Sequence, residues 1–204
     1  MNIYRKAMGE QFNLLHPMLQ KRYDRLEEGK FSASGMMKRI QSGPKMLFPL
    51  LWFGTKFKLL FPESGNEIPF TITNTVYCGS GSEMKVHWER VFYFRKKKRF
   101  FNALMSLDTD RMIIRDYLGE PPLFYSDLVF SAVTGGQLSI RSEKQRLVLG
   151  KLEIPLPSFF QGLACVTESY ADDLDVFRIS VMVKNPLVGT IFSYEGEFTA
   201  DDFS

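Results

Sequence analysis

Turn-forming residues recur every 8 to 15 positions from residue 66 onwards, and this spacing constrains the fold more than any other feature of the chain. Between the turns, apolar and polar residues alternate with a period of two, which is typical of half-buried β-strands. No intervening segment is long enough for the helical crossover that joins parallel strands. The pattern therefore predicts an antiparallel meander. Its expected strands are Ile68–Tyr77, Met84–Phe94, Arg99–Leu107, Met112–Leu118, Phe124–Val133, Gln137–Arg141, Arg146–Ile154, Ala164–Ala171, Val176–Lys184 and Thr190–Thr199.

The breaks between these strands hold residues that suit tight turns. Glycine supplies positive φ angles in the Gly-Ser-Gly-Ser segment at 79–82 and at Gly135-Gly136, and acidic or proline residues mark Asp108–Asp110 and Gly119–Pro122. Nine or ten twisted strands strain an open sheet. We therefore expect a mainly β fold that closes, or nearly closes, into a barrel, lipocalin-like in outline.

The first 65 residues show a helical pattern instead. Between Met8 and Leu26, apolar residues are spaced by three and four, which predicts a buried helical stripe. We expect one short helix to end near His16 and a second to begin at Pro17. Ser32–Pro44 is expected to be loop or extended structure. The chain is thus predicted as a single domain, 1–204, with a helical or irregular cap (1–65) on an antiparallel β body (66–204).

Aromatic residues are unusually numerous, with 19 Phe, 8 Tyr and 2 Trp among 204 residues. This load requires either a large core or a lined cavity, because each ring buries a large apolar area. The N-terminus has no apolar h-region or cleavage site, which favours a cytoplasmic location. In that compartment Cys78 and Cys165 are expected to be reduced, half-buried thiols.

Strand alternation places charged residues on aromatic faces. Trp88, Arg90 and Phe92 share one face of their strand, and Glu168 and Tyr170 share one face of theirs. Val176–Lys184, in contrast, has one wholly apolar face. Two interpretations follow: the mixed faces meet solvent while the clean faces form the core, or the mixed faces line a cavity while the clean faces pack under the N-terminal helices.

A buried Arg90 would require a partner, because an unpaired buried charge costs several kcal/mol. Glu168 is the expected partner, with Tyr170 hydrogen bonding nearby. Ligand sites are typically apolar with a few convergent polar groups. Under the cavity interpretation, Trp88, Arg90, Phe92, Glu168 and Tyr170 line a ligand-binding site.

The polar segment from Arg141 to Arg146 has two interpretations. It can be an exposed hairpin tip, where Ser, Glu, Lys and Gln collect. Alternatively, Arg141 and Arg146 form a clamp for a carboxylate or phosphate at a barrel mouth.

Two further segments, one basic and one apolar, are candidates for surfaces that contact another molecule. Arg95–Arg99 is basic and flanked by aromatics, but a net charge of +3 and the lack of a second basic run argue against nucleic acid and favour a solvated turn. The charges of this turn could equally contact an anionic lipid surface or an acidic partner. Met46–Phe61 is apolar, yet it is too short and too interrupted to span a bilayer. It either covers a core or lies against a membrane surface, where Trp and Phe near Lys are suited.

Catalytic motifs are missing from the sequence. The two histidines, His16 and His87, are far apart, and no zinc, P-loop or nucleophile-elbow pattern occurs. We predict no catalytic residue, metal or cofactor. An enzyme that uses Glu168, or the pair Arg141 and Arg146, would need a carboxylate with a perturbed pKa in a closed pocket.

Several segments together resemble a known family. They are LHPMLQKRY at Leu15–Tyr23, LFPESGNEIPFTITN at Leu60–Asn74, WERVFYF and RFFNALM within Trp88–Met105, DYLG at Asp116–Gly119, and NPLVGTIFSYEGEF at Asn185–Phe198. The chain resembles the bacterial domain-of-unknown-function family 4166 over nearly its whole length. The resemblance implies a stand-alone protein of bacilli whose related domains are fused to membrane segments or dehydrogenase-like modules. It supplies no catalytic residues.

The sequence therefore favours a protein that binds a small amphipathic or anionic ligand inside a curved sheet. The alternative is an accessory module that contacts a membrane or a protein, and the family's fusions place such a module beside a redox enzyme. No nucleotide-binding motif is present, so an NAD-dependent activity does not carry over.

Overall fold

Helices and strands cover most of residues 2–24, 29–78 and 83–201, which are the residues that the computed structural model describes. The helices are α1 (Ile3–Met8), α2 (Pro17–Asp24) and α3 (Phe48–Gly54), with 3₁₀ segments at Gly9–Leu14, Lys45–Leu47, Thr55–Phe57 and Ser158–Phe160. The strands are β1 (Lys30–Ser42), β2 (Gly65–Cys78), β3 (Met84–Phe94), β4 (Lys97–Phe100), β5 (Ala103–Asp108), β6 (Ile113–Leu118), β7 (Phe124–Val133), β8 (Gln137–Leu149), β9 (Leu152–Pro155), β10 (Leu163–Ala171), β11 (Val176–Asn185) and β12 (Gly189–Ala200).

Ten of these strands close into a barrel. The order is β1-β2-β3-β5-β6-β7-β8-β10-β11-β12, and β12 returns to pair with β1. Every pairing between described strands is antiparallel, while β4 and β9 add to β3 and β8 outside the ring. The predicted antiparallel meander closed into a barrel is confirmed. The predicted turn at 79–82 and Leu26 lie outside the described residues.

Strand β1 comes from the region that we predicted as cap. It runs for 13 residues between β12 and β2, so residues 30–42 belong to the barrel. A register shift between Met37 and Arg39 breaks its period of two. Gly35 allows a close approach to β12, because a Cβ at this position would lie 2.1 Å from the carbonyl oxygen of Glu197. Glycine and the bulge together hide the strand pattern.

Strand β8 also differs from the prediction. It passes without interruption through the Ser-Glu-Lys-Gln segment that we expected to separate two strands. The pairing between β7 and β8 shifts register between Ser126 and Leu128, opposite Glu143 and Lys144. This bulge places two exposed polar residues in succession within a strand, and that pattern resembles a turn in the sequence.

The N-terminal helices close one end of the barrel. The expected stripe is buried, and its described members are Phe12, Leu15, Leu19 and Tyr23. Helix α2 begins at Pro17, as predicted. The amide of His16 donates a 2.8 Å hydrogen bond to the carbonyl of Gly136 in the β7–β8 turn, which fixes the helices against this end.

The segment from 43 to 64, which contains α3, covers the other end. Leu51, Leu59 and Phe61 are buried, and the Phe61 ring packs 5.1 Å from that of Phe92. The segment therefore covers part of the core, as one of the two interpretations expected. None of the helices in the described ranges is both long and apolar enough to cross a bilayer.

The two cysteines differ from expectation. Cys78 and Cys165 are free, and both are exposed rather than half-buried. Cys165 lies between Ala164 and Val166, which line the interior, so strand alternation turns its thiol outwards.

Candidate functional site

The barrel encloses a cavity between the N-terminal helices and α3. The volume of the cavity is about 170 Å³. One water needs roughly 10–15 Å³, so the cavity can hold a molecule of several heavy atoms. Its wall is mainly aliphatic, with side chains that include Leu59, Met105, Leu128, Ile140, Val181 and Ile191.

Strand β3 supplies two residues of the wall. Trp88 and Arg90 line the cavity and are buried, because alternate residues of the strand face inwards. Phe92 shares this face, and its ring packs among Phe61, Phe70 and Tyr194. The shared inward face that we expected for these three residues is present.

Both kinds of strand face line the interior. The wholly apolar face of β11 contributes Ile179, Val181 and Val183, and the mixed faces of β3 and β10 contribute Arg90 and Glu168. Neither sequence interpretation described this arrangement, because each assigned the two kinds of face to opposite sides of the sheet. Closure of the barrel turns both kinds towards one interior.

Arg90 is held by neutral groups. Its Nε donates a 2.6 Å hydrogen bond to the carbonyl of Phe101, and its Nη1 lies 3.4 Å from the hydroxyl of Tyr194. The guanidinium also lies 4.0 Å from the centroid of the Phe101 ring, a cation–π contact. Among the described residues, Arg90 forms no ion pair. The direct contacts of this buried cation are thus all with uncharged groups.

Glu168, the expected partner of Arg90, pairs instead with a helix residue. Its Oε2 accepts hydrogen bonds from Nη1 of Arg22 and from the hydroxyl of Tyr23, both on α2. The Arg22 guanidinium packs against rings, including that of Phe198 at 5.0 Å. This buried pair joins α2 to β10 and neutralises Glu168 at the inner end of the cavity.

Asp116 is another ionisable residue that lines the same cavity as Arg90. It lines the cavity from β6, it is buried, and its Oδ1 has no hydrogen-bond partner among the described residues. Burial raises the pKa of Asp116 to about 7, although the charge of Arg90 acts to lower it. A carboxyl with this pKa is largely protonated just below neutral pH and can donate a hydrogen bond.

Sequence reasoning missed Asp116 and Arg22. For Asp116 a signal existed, because Ile114, Asp116 and Leu118 alternate on one face of a predicted strand and the acid interrupts an apolar face. For Arg22 there was none. Its partner is 146 residues away along the chain, and only the closed barrel brings the two together.

The remaining predicted residues lie away from the cavity. Tyr170 donates a hydrogen bond to Asp175, and its ring stacks on that of His16 at the helix-covered end. Arg141 is exposed on β8, next to Ile140, which faces inwards. Arg146 pairs with Glu153 at 2.8 Å and lies over the Tyr125 ring. A ligand role for Tyr170, Arg141 and Arg146 stays a prediction.

The described residues contain no candidate metal site, because no group of three or more His, Cys, Asp or Glu side chains among them could hold a metal ion. His87 binds Glu120, which also accepts a 2.5 Å hydrogen bond from Nζ of Lys58. His16 lies 3.3 Å from Asp172. Both histidines thus have protein partners.

Comparisons with known proteins agree with the resemblance seen in the sequence. The family model "Domain of unknown function (DUF4166)" matches residues 15–198. The chain is also 39% identical over 201 residues, covering 98% of each chain, to "Uncharacterized protein YndH" of Bacillus subtilis (strain 168). No solved structure matches it. The chain therefore belongs to the DUF4166 family.

Proposed function

We propose that the protein binds a small amphipathic molecule with an anionic head inside the barrel, and that the head lies against Arg90. One observation carries this proposal: Arg90 is only 6% exposed, lines an apolar cavity and has no ion pair among the described residues. Taking a guanidinium out of water costs several kcal/mol unless an anion compensates. A ligand carboxylate supplies that anion in the bidentate geometry that arginine favours.

The aliphatic wall suits the body of such a ligand. Leu128, Ile140 and Val181 offer no hydrogen-bonding groups, so the wall favours methylene groups or rings over polar atoms. Each methylene removed from water contributes about 0.8 kcal/mol. A tail of about six carbons thus contributes about 5 kcal/mol before the cost of ordering the ligand.

Asp116 gives the site a second contact for an acid. Because the pKa of Asp116 is raised to about 7, the carboxyl keeps its proton in mildly acidic solution. A neutral carboxylic acid in an apolar site can donate a hydrogen bond to a ligand oxygen. Arg90 would then pair with the carboxylate head, and Asp116 would donate a hydrogen bond to one of its oxygens.

Binding without turnover is the proposed role. A carboxyl with a raised pKa also suits a general acid. However, the described wall of the cavity contains no histidine, cysteine or lysine. The carboxyl with the raised pKa is Asp116, whereas Glu168, which an enzyme was expected to use, is paired with Arg22.

Fluorescence titration with saturated fatty acids and the matching primary alcohols tests the proposal. Trp88 lines the cavity, and the substitution Trp52→Phe leaves it as the sole tryptophan of the chain. We expect saturable changes in Trp88 emission and affinities about tenfold or more higher for the acids, because only they pair with Arg90. Equal affinities for acid and alcohol, or no saturable change, would overturn the proposal. Native mass spectrometry of freshly purified protein is expected to show a bound acid.

A further inference from the structure

The open end of the cavity is surrounded by exposed apolar side chains. Leu50, Phe53 and Phe160 line the cavity and are also exposed, so they mark its mouth. More exposed rings lie next to them in the sequence. We define the rim as Phe48, Leu50, Trp52, Phe53, Phe159 and Phe160.

The rim contributes little to the core. It consists of two short segments, α3 and the 3₁₀ segment at Ser158–Phe160, whose buried members are few: Leu51 and Gly54 in the first and none in the second. Exposed apolar side chains gathered at a cavity mouth are typical of a surface that contacts a membrane or another molecule. The rim therefore needs a partner that the described chain does not supply.

Exposed cations lie at the same end of the barrel as the rim. Lys45 and Lys56 flank α3 and are exposed, and the β3–β4 turn adds the exposed residues Arg95 and Lys96. This turn belongs to the same end of the barrel, because Phe94 packs 5.7 Å from Phe61 at the end of the α3 segment.

Two acids at the mouth end, Glu63 and Glu120, have cationic partners, while Glu67 at the start of β2 is exposed. Glu63 binds Arg99 and Lys97, and Glu120 binds Lys58. The cations that flank the rim are thus not neutralised by these two carboxylates. At the mouth, exposed cations lie near an apolar patch, and Nζ of Lys56 is 5.0 Å from the centroid of the Trp52 ring.

The opposite end of the barrel carries acidic turns. Asp110 is exposed in the β5–β6 turn, and Asp172, Asp173 and Asp175 are exposed in the β10–β11 turn. His16 contacts Asp172 there, which places these turns beside the N-terminal helices. Exposed lysines, Lys21 in α2 and Lys30 at the start of β1, lie at this end as well. At the mouth, the exposed cations lie beside the apolar rim, which favours contact with a negatively charged surface there.

We infer that the mouth docks on a lipid bilayer that contains anionic lipids, with the rim in the interface and the flanking cations over the headgroups. Trp and Phe insert favourably at the level of the headgroups, and lysines beside them bind anionic lipids. Docking in this orientation opens the cavity towards the acyl chains. The exchange of an amphipathic acid between bilayer and cavity rests on the proposed function, whereas the docking itself does not.

Vesicle flotation tests the docking directly. The probes are vesicles of phosphatidylcholine alone and of phosphatidylcholine with roughly 30% phosphatidylglycerol, at about 0.1 M and about 0.5 M salt. We expect the protein to float with the anionic vesicles at low salt, and we expect most of this co-flotation to be lost at high salt. The emission of Trp52 is expected to shift to the blue on binding, and Trp52→Phe to remove the shift.

Matched variants distinguish specific docking by the rim from nonspecific adsorption through any exposed apolar residue. The rim variant Leu50→Ser/Phe160→Ser removes side chains that are 58% and 66% exposed. The control Leu14→Ser/Leu174→Ser removes side chains that are 67% and 55% exposed at the helix-covered end. We expect flotation to fall about tenfold or more for the rim variant and to be unchanged for the control. The variant Lys45→Ala/Lys56→Ala is also expected to reduce flotation about tenfold or more on anionic vesicles, since each lysine contributes roughly fivefold.

Three results would overturn the inference. They are no flotation with anionic vesicles, equal flotation of the rim variant and wild type, and a stable dimer in solution that the rim variant dissolves. If the protein does not float with anionic vesicles, the fluorescence titration of Trp88 can still show acid binding. If the titration shows no acid binding, flotation can still show docking. The two proposals thus fail separately.

Discussion

The indole Nε1 of Trp88 donates a 2.7 Å hydrogen bond to the hydroxyl of Tyr4, which joins the first helix to the barrel wall. The same hydroxyl lies 3.4 Å from Sδ of Met105 on β5. Tyr4 and Trp88 are both buried, so no water replaces this contact. The hydroxyl group of Tyr4 therefore connects α1 to two strands of the cavity wall, β3 and β5.

Tyr4→Phe is expected to lower the free energy of unfolding by about 1–3 kcal/mol, because it leaves the buried indole N–H without its acceptor. Urea denaturation followed by circular dichroism measures the change. Tyr77→Phe, at an exposed tyrosine, serves as the control and is expected to have an effect within about 0.5 kcal/mol of zero. A Tyr4→Phe protein as stable as wild type would show that the bond contributes nothing.

The buried pair of Arg22 and Glu168 gives a second prediction. Glu168→Leu leaves the guanidinium buried without its carboxylate, so we expect a loss of about 3–5 kcal/mol in unfolding free energy. The double variant Arg22→Met/Glu168→Leu removes both charges and should recover most of this loss. Glu197→Leu, which breaks pairs with the exposed Lys38 and Arg178, is expected to cost less than about 1 kcal/mol. Equal losses in the single and double variants would contradict the account.

Asp116 makes stability depend on pH in a defined direction. Its pKa is raised in the folded protein to about 7 from an ordinary 3.8, so between these values the folded chain holds a proton that the unfolded chain has released. Stability contributed by this proton is present at low pH and is lost as the pH rises towards 7. From pH 5 to pH 8, wild type is expected to lose roughly 2–3 kcal/mol relative to Asp116→Asn. If the unfolding free energies of wild type and Asp116→Asn changed in parallel with pH, the raised pKa of Asp116 would be contradicted.

The same proton controls ligand affinity under the proposed function. If protonated Asp116 donates a hydrogen bond to the acid head, the dissociation constant of a fatty acid should rise above pH 7, approaching about tenfold per pH unit. Asp116→Asn still donates through its amide and has no proton to release, so its affinity should be flat over this range. Calorimetric titration from pH 6 to about pH 9 compares the two proteins. A wild-type affinity that does not change with pH would exclude the donor role.

Much of the fold could be predicted from the sequence where strands alternate without interruption. The predicted bounds Met84–Phe94 and Phe124–Val133 coincide with β3 and β7. Prediction failed at bulges, since β1 and β8 each contain a register shift that breaks the period of two. The participation of β1 in the barrel was therefore not predicted, although a closed or nearly closed barrel was.

The candidate site was predictable only in part. The alternation in β3 placed Trp88 and Arg90 on one face, and both line the cavity. The charge partners were not predictable, because they depend on contacts between distant segments. Glu168 pairs with Arg22 across 146 residues, and Asp116 meets Arg90 only through the packing of β6 near β3.

The central claim is that the charge of Arg90 binds the head of an acid. Calorimetric titration of Arg90→Leu with a fatty acid, beside Arg141→Leu as an exposed control on β8, tests it most directly. We predict that Arg90→Leu keeps an unfolding free energy within about 1 kcal/mol of wild type or higher, because it removes an unpaired buried charge. Its affinity for the acid should fall about tenfold or more, while Arg141→Leu binds like wild type. A folded Arg90→Leu protein that binds the acid as tightly as wild type would contradict the claim.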